Sequence, residues 1–247
     1  MAGFTAVVAV VLGLLHGFGA TAFTWRRIVE PLRAAHPVAV LDRPWAALRE
    51  QVRYTVQALE CEAAEDWVLV GHSAGAEVAL GVALDAPHLV RGLVLLGPVV
   101  GRGPPGLVRA AARVPGSERV APALLRAGSG LLGPLLRRAW DDPSSVSEQV
   151  VQGYRRPLNE PGVAEALWAM AGADDDRATV RSRLDEISQP CLVLVGRTDR
   201  WATPVPVRHR RTVVLDRCGH LPQEEQPRRT TQEILHFVDG LSPGAPR

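Results

Sequence analysis

Trp67-Val68-Leu69-Val70-Gly71-His72-Ser73-Ala74-Gly75 is the stretch that decides how this chain reads. Trp67–Val70 is a short apolar run, and it predicts a buried strand. Ala74–Asp85 follows at once, rich in Ala, Val and Leu, and predicts a helix. A chain that passes from strand to helix this abruptly must bend sharply. Gly71 and Gly75, two before and two after the serine, let neighbouring segments approach the bend. Ser73 then sits at a helix N-terminus, where backbone N–H groups favour developing negative charge. A G-x-S-x-G pentapeptide in this setting is the pattern of an exposed nucleophile on a strained elbow. Outside such a setting the same five residues are an ordinary Gly-Ser turn.

Working outward, five more apolar runs predict strands: Ala6–Leu15, Val38–Leu41, Gly92–Leu96, Cys191–Val195 and Thr212–Leu215. Helical patterns separate several of them, at Trp25–Ala35, Ala46–Leu59 and Gln226–Leu241. Strands alternating with helices predict an α/β fold with a mostly parallel, doubly wound sheet. The alternation stops over residues 99–187, which are rich in Gly, Pro and Arg and show helical patterns only. The expected organisation is therefore a core of residues 1–98 and 188–247, with residues 99–187 as a helical cap insertion.

Three further motifs fall just after expected strands. His16-Gly17-Phe18-Gly19 follows the first, and its glycines let the backbone aim an N–H at a reacting centre. The expected oxyanion donors are the N–H groups of Phe18 and of Ala74, the residue after the serine. His16 itself reads as structural. Asp199 lies beyond Cys191–Val195, at the carboxyl edge where open α/β sheets carry their sites. It reads as the acid that orients a histidine, or as a loop aspartate capping a turn. His220 comes after the last strand and reads as the general base. Of the other histidines, His36, His88 and His209 have surface surroundings, His236 lies in the final helix, and His72 is expected to face away from the serine. The order Ser73, Asp199, His220 matches one known arrangement of a Ser-His-Asp triad.

Composition narrows the alternatives. The 247 residues are 47% hydrophobic and 22% charged, with 28 basic against 26 acidic residues. That balance excludes a generally basic nucleic-acid binder. Every basic residue is arginine, which excludes a Schiff-base or P-loop lysine. Cys61, Cys191 and Cys218 form no disulfide framework and read as buried small hydrophobes in a cytoplasmic protein. The N-terminal apolar run lacks the basic flank of a signal peptide, and glycines cut it short of a membrane span. The expected partner is a small-molecule ester-like substrate, with no nucleic acid, no membrane and no metal, the chain acting as a monomer or homodimer.

Taken with Leu14-Leu15 before the His-Gly loop, Trp25, and Leu41-Asp42-Arg43-Pro44, these motifs resemble the α/β-hydrolase superfamily, in its branch with a helical cap. Within it the chain resembles bacterial meta-cleavage-product hydrolase-like and esterase-like members. The resemblance implies an eight-stranded core, a cap over the pocket and no cofactor. Two departures stand out. The lead before His16 is too short for the usual antiparallel strand pair, so those strands are expected to be missing or the start clipped. After Pro44 the usual glycine-rich stretch is absent, and Trp45 runs straight into the next helix.

The expected activity is a serine hydrolase acting on an ester, thioester or lactone of a small to medium apolar substrate. C–C bond hydrolysis of meta-cleavage-product type and acyl transfer use the same triad, and a ligand-binding receptor on this fold is the non-enzymatic alternative. Apolar cap residues, among them Leu107, Leu124, Leu131 and Leu135, are expected to pack inward or to roof a pocket. Trp168 and Trp201 are the aromatic pocket candidates. Tyr154-Arg155-Arg156 reads as a solvated helix face or as a cation source for a carboxylate. Asp174-Asp175-Asp176 reads as a solvated turn, with metal binding second.

Overall fold

The computed structural model describes residues 10–241 except 63, 65 and 174–176. Six parallel strands form one sheet in the order β2-β1-β3-β4-β5-β6. They are β1 (Val11–Leu15), β2 (Val38–Leu41), β3 (Trp67–His72), β4 (Val90–Leu96), β5 (Cys191–Gly196) and β6 (Arg210–Leu215). All six expected strands are present. The part of Ala6–Leu15 before residue 10, and with it the question of a preceding strand pair, lies outside the described residues. The resemblance implies eight strands; six form the sheet among the described residues.

Strand period two sorts the side chains onto two faces. Leu69, Leu93, Leu95 and Val193 point to one side, against α2 (Leu48–Cys61) and α3 (Ala74–Asp85). Val68, Val70, Val94 and Leu194 point to the other. There they meet α1 (Val29–Arg33), α11 (Pro227–Asp239) and the fully buried Trp25 and Ile28. With both faces covered, continuous apolar strands are the stable solution.

The helix expected over Trp25–Ala35 is shorter in the structure. A 3₁₀ turn covers Ala22–Trp25, and the α-helix covers only Val29–Arg33. Pro31 has no N–H to give to Arg27 and is tolerated only in a first turn, so the helix starts just before it.

Between β4 and β5 lie α4 (Gly106–Ala112), α5 (Ala121–Ala127), α6 (Leu132–Ala139), α7 (Glu148–Leu158), α8 (Val163–Gly172), α9 (Arg177–Ser182) and a short α10 follows β6 at Pro222–Glu225. The described residues of 99–187 contain no strand. A third apolar cluster joins this helical segment to the sheet, with Leu136, Trp140, Val151 and Tyr154 against Ala20 and Leu221. Polar groups support the same joint. Tyr154 Oη donates to Glu224 Oε1 at 2.8 Å and lies 2.9 Å from Thr24 Oγ1, while Arg26 pairs with the same carboxylate. Burial and the neighbouring Glu224 push the Tyr154 hydroxyl well above its usual range, so it stays protonated and donates. Tyr154 is therefore a buried tie and not part of a solvated face.

Other expectations about this segment need correction. Leu107, Leu124, Leu131 and Leu135 neither pack inward nor lie over Ser73; they are exposed on the outside of the segment. α4 and α5 pack on α8 and not on the sheet, which leaves these leucines on the outer side of the helical segment. Cys61 is exposed, because it ends α2; Cys191 and Cys218 are buried. Asp174–Asp176 lie outside the described residues.

Candidate active site

The site lies where the strand order reverses. The chain runs from β1 out to β2, then returns across β1 to β3, so the carboxyl ends of β1 and β3 border a crevice. Ser73 sits at the end of β3 with φ +53° and ψ −119°. That conformation is rare for any residue with a side chain and marks a strained turn. Its surroundings show why both elbow glycines are needed. A Cβ on Gly71 would come within 2.5 Å of Gly75 O, and one on Gly75 within 2.1 Å of Leu15 O.

Tertiary structure brings the three distant residues together. Ser73 Oγ lies 3.0 Å from His220 Nε2. His220 Nδ1 lies 3.1 Å and 3.0 Å from the two carboxylate oxygens of Asp199. This assigns the proton to Nδ1, facing the carboxylate, and leaves Nε2 to accept from the serine. Asp199 also accepts from the Trp201 and Ala202 N–H groups at 2.8 and 3.0 Å, so it caps its own turn while facing the histidine. Burial alone would raise its pKa; the His220 ring and those two N–H groups outweigh burial and hold it below the usual carboxylate range. Asp199 therefore stays ionised.

The first loop lies beside the serine. A Cβ on Gly17 would stand 3.1 Å from Ser73 Cβ, which places the backbone of the His16–Gly19 loop beside that side chain. Ala74 is the first residue of α3, so its N–H has no acceptor within the helix. Phe18 is exposed at the loop tip. Trp201 packs edge-on against His220, with ring centroids 4.9 Å apart. Trp168 does not join them: its indole N–H donates to Ser117 Oγ at 3.1 Å, inside the helical segment.

Two buried histidines flank the centre. His16 is buried under the first loop, and His72 turns toward the histidine loop, its Nε2 3.0 Å from His220 O. Burial lowers His16 to about 4, with the nearby Arg43 adding to the effect. Burial, then the proximity of His220, lowers His72 to about 3. Both are neutral in the folded chain at pH 6, whereas in the unfolded chain they take up protons from about pH 6.5 downward. Folded values below unfolded values mean that stability falls with pH across this window. The expected loss is about 2 kcal/mol or more per histidine between pH 6.5 and 4.5. Urea unfolding at the two pH values measures it; equal midpoints would show that neither imidazole is held neutral by the fold.

Sequence reasoning missed several residues that build the site. The Glu225 carboxylate accepts from the N–H groups on both sides of His220, Gly219 at 2.9 Å and Leu221 at 3.2 Å, and from Asp141 N at 2.7 Å. Ala139, the last residue of α6, and Asp141 hold the loops that carry His220 and Asp199. Ala139 O accepts from His220 N at 2.8 Å, and Asp141 Oδ1 accepts from Thr198 Oγ1 at 2.7 Å. Arg43, from the shortened loop after β2, donates to His16 O and to Gln51. Burial lowers its pKa to about 10, and it stays a cation that pins the first loop. Only the position of Glu225, five residues past His220, offered a local signal; the Arg43 and Asp141 contacts are long-range.

Among the described residues no cluster of three or more His, Cys, Asp or Glu is placed to hold a metal. No helix among them is long and apolar enough to cross a membrane.

Residues 14–233 match the model of the alpha/beta hydrolase family. An uncharacterized hydrolase, YugF, of Bacillus subtilis is 27% identical over 245 residues, covering 91% of this chain and 88% of that protein. A pimeloyl-[acyl-carrier protein] methyl ester esterase of Methylococcus capsulatus is 30% identical over 253 residues, covering 91% of this chain and 93% of that protein. Some relatives are longer, and the chain spans 63% of one of them. Among solved structures, a meta-cleavage product hydrolase of Pseudomonas fluorescens superposes with a TM-score of 0.75 at 18% identity, over 95% of this chain and 92% of that one. The shared fold and the match over most of its length show that this chain belongs to the alpha/beta hydrolase family.

Proposed function

We propose that this hydrolase cleaves a carboxylic ester, thioester or lactone through a covalent acyl-enzyme on Ser73. The observation that carries the reading is the unbroken relay from Ser73 Oγ through His220 to Asp199, with both links near 3.0 Å. Ser73 Oγ attacks the substrate carbonyl as its proton passes to His220 Nε2. Asp199 holds the ring in the required tautomer and stabilises the imidazolium. The N–H groups of Phe18 and Ala74 take the oxyanion. His220 then returns the proton to the leaving alcohol or thiol, and the same residues activate water to release the acid. Trp201, packed edge-on against His220, is the apolar side chain placed to border the acyl group.

A fluorophosphonate probe tests this directly. Labelling of the wild type at Ser73, absent from Ser73→Ala, is the expected result. A folded wild type that resists the probe overturns the proposal and favours a receptor.

Glu225 acts in this scheme as a positioning residue for His220. Glu225→Gln keeps the size but turns an amide N–H₂ toward backbone donors. Expected is a drop in kcat on the order of tenfold to a hundredfold with KM little changed, in protein whose far-ultraviolet spectrum matches the wild type. Unchanged kcat would reduce Glu225 to a loop brace without effect on the imidazole.

A further inference from the structure

We propose that the helical segment docks this protein onto an anionic lipid surface, with the outer side chains of α4–α6 inserted among the lipids. The proposal stands apart from the catalytic reading. Leu107, Leu124 and Leu131 are 84%, 66% and 73% exposed, and Val114, Val120 and Leu135 join them on the outside. Between them runs an apolar groove of about 450 Å³, lined by Leu125, Leu131, Leu132, Leu135 and Leu158, with Arg138 at its border. Water-exposed aliphatic surface of this extent marks an interaction site.

Charge identifies the occupant. Residues 101–138 carry seven arginines against one glutamate, while the rest of the chain carries 21 basic against 25 acidic residues. The near-neutral total hides a cationic stretch at 101–138, part of whose charge its neighbours meet: Arg126 pairs with Glu165 of α8. Arg109 shares α4 with Leu107, Arg138 shares α6 with Leu135, and Arg119 lies in the turn between α4 and α5 beside Val120. Cations beside inserted aliphatic groups are what an anionic bilayer surface binds. An acidic protein partner fits less well. Residues 101–138 contain only Gly, Ala, Pro, Val, Leu, Ser, Arg and one Glu, so they offer neither the aromatic anchors nor the amide hydrogen bonds of a protein interface.

The geometry also links this face to the site. α6 turns Leu136 inward, against the cluster that Trp201 joins, and Leu135 outward, and Leu131 just before the helix is exposed as well. Residues 139–141 continue from α6 onto the catalytic loops.

Co-sedimentation of the full chain with vesicles tests the proposal. One set is phosphatidylcholine alone; in the other about a third is phosphatidylglycerol. Pelleting with the anionic set should exceed the neutral set by about tenfold and be lost near 0.5 M salt, where screening is short-ranged. Leu124→Glu with Leu131→Glu should abolish pelleting. Arg137→Glu with Arg138→Glu should weaken it about tenfold. Both pairs lie outside the core, and thermal melts confirm that the variants fold. A folded wild type that stays in the supernatant with both vesicle sets overturns the proposal, as does equal pelleting with both. Self-association that buries the leucines, or binding to polyglutamate without binding to vesicles, overturns it in favour of a second copy or an acidic protein.

Discussion

Ser73→Ala is expected to lower hydrolysis of short p-nitrophenyl esters near pH 8 by on the order of a thousandfold or more. Such a loss corresponds to about 4 kcal/mol of transition-state stabilisation. Ser73 Oγ is hydrogen-bonded to His220, and removing one oxygen leaves the elbow, Asp199 and the backbone donors in place. The variant should therefore fold like the wild type and fail only in chemistry. Because the three side chains act as a unit, Ser73→Ala combined with His220→Ala should fall little further than Ser73→Ala alone. Residual turnover above the solution rate is expected from oxyanion binding. Near-wild-type activity in Ser73→Ala would locate the nucleophile elsewhere and remove the basis of the proposed reaction.

Gly75→Ala is expected to destabilise the whole domain by about 3 kcal/mol or more, roughly 10 °C in Tm for a chain of this size. The added methyl would stand 2.1 Å from Leu15 O and 2.5 Å from His16 O. Both are backbone atoms at the end of the strand beside the elbow, so no side-chain rotation relieves the clash. Either α3 lifts from the sheet or the end of β1 shifts, and both moves disturb the first loop beside Ser73. Activity should therefore fall together with stability. Gly106→Ala is the matched control, since a Cβ there meets nothing within 4 Å and the residue opens α4. It should leave Tm unchanged within about 2 °C or raise it slightly. Equal melting of the two variants would show that the contact of the elbow with β1 is looser than the structure has it.

Much of this architecture is written in local patterns. Val38–Leu41 and Ala74–Asp85 have the same boundaries in sequence and structure, because uninterrupted apolar strands and Ala-rich helices are decided by neighbours a few residues away. Pro31 was the local signal that shortens the first helix, and it was outweighed by the apolar spacing around it. Ser73, Asp199 and His220 were legible because each follows a strand, and strand ends of a parallel sheet collect at one edge. Glu225, Arg43 and Asp141 were not, since charged residues in loops look alike until the chain has folded.

The exposed leucines show the same limit from the other side. Leu131 and Leu132 are adjacent and chemically identical, yet Leu131 stands out in solvent while Leu132 packs against the cluster over the site. Periodicity states that a helix has an apolar side; it does not state whether a second element arrives to cover it. By itself, then, the sequence determined the strand–helix alternation and the strained elbow at Ser73, both of which follow from backbone sterics and short-range hydrophobic spacing. Only the tertiary structure decided that Ser73, His220 and Asp199 lie within hydrogen-bond reach, that Glu225 and residues 139–141 hold their loops, and that α4–α6 leave aliphatic side chains exposed. Those are contacts between residues far apart along the chain, and they exist only once loop closure and burial have brought the segments together.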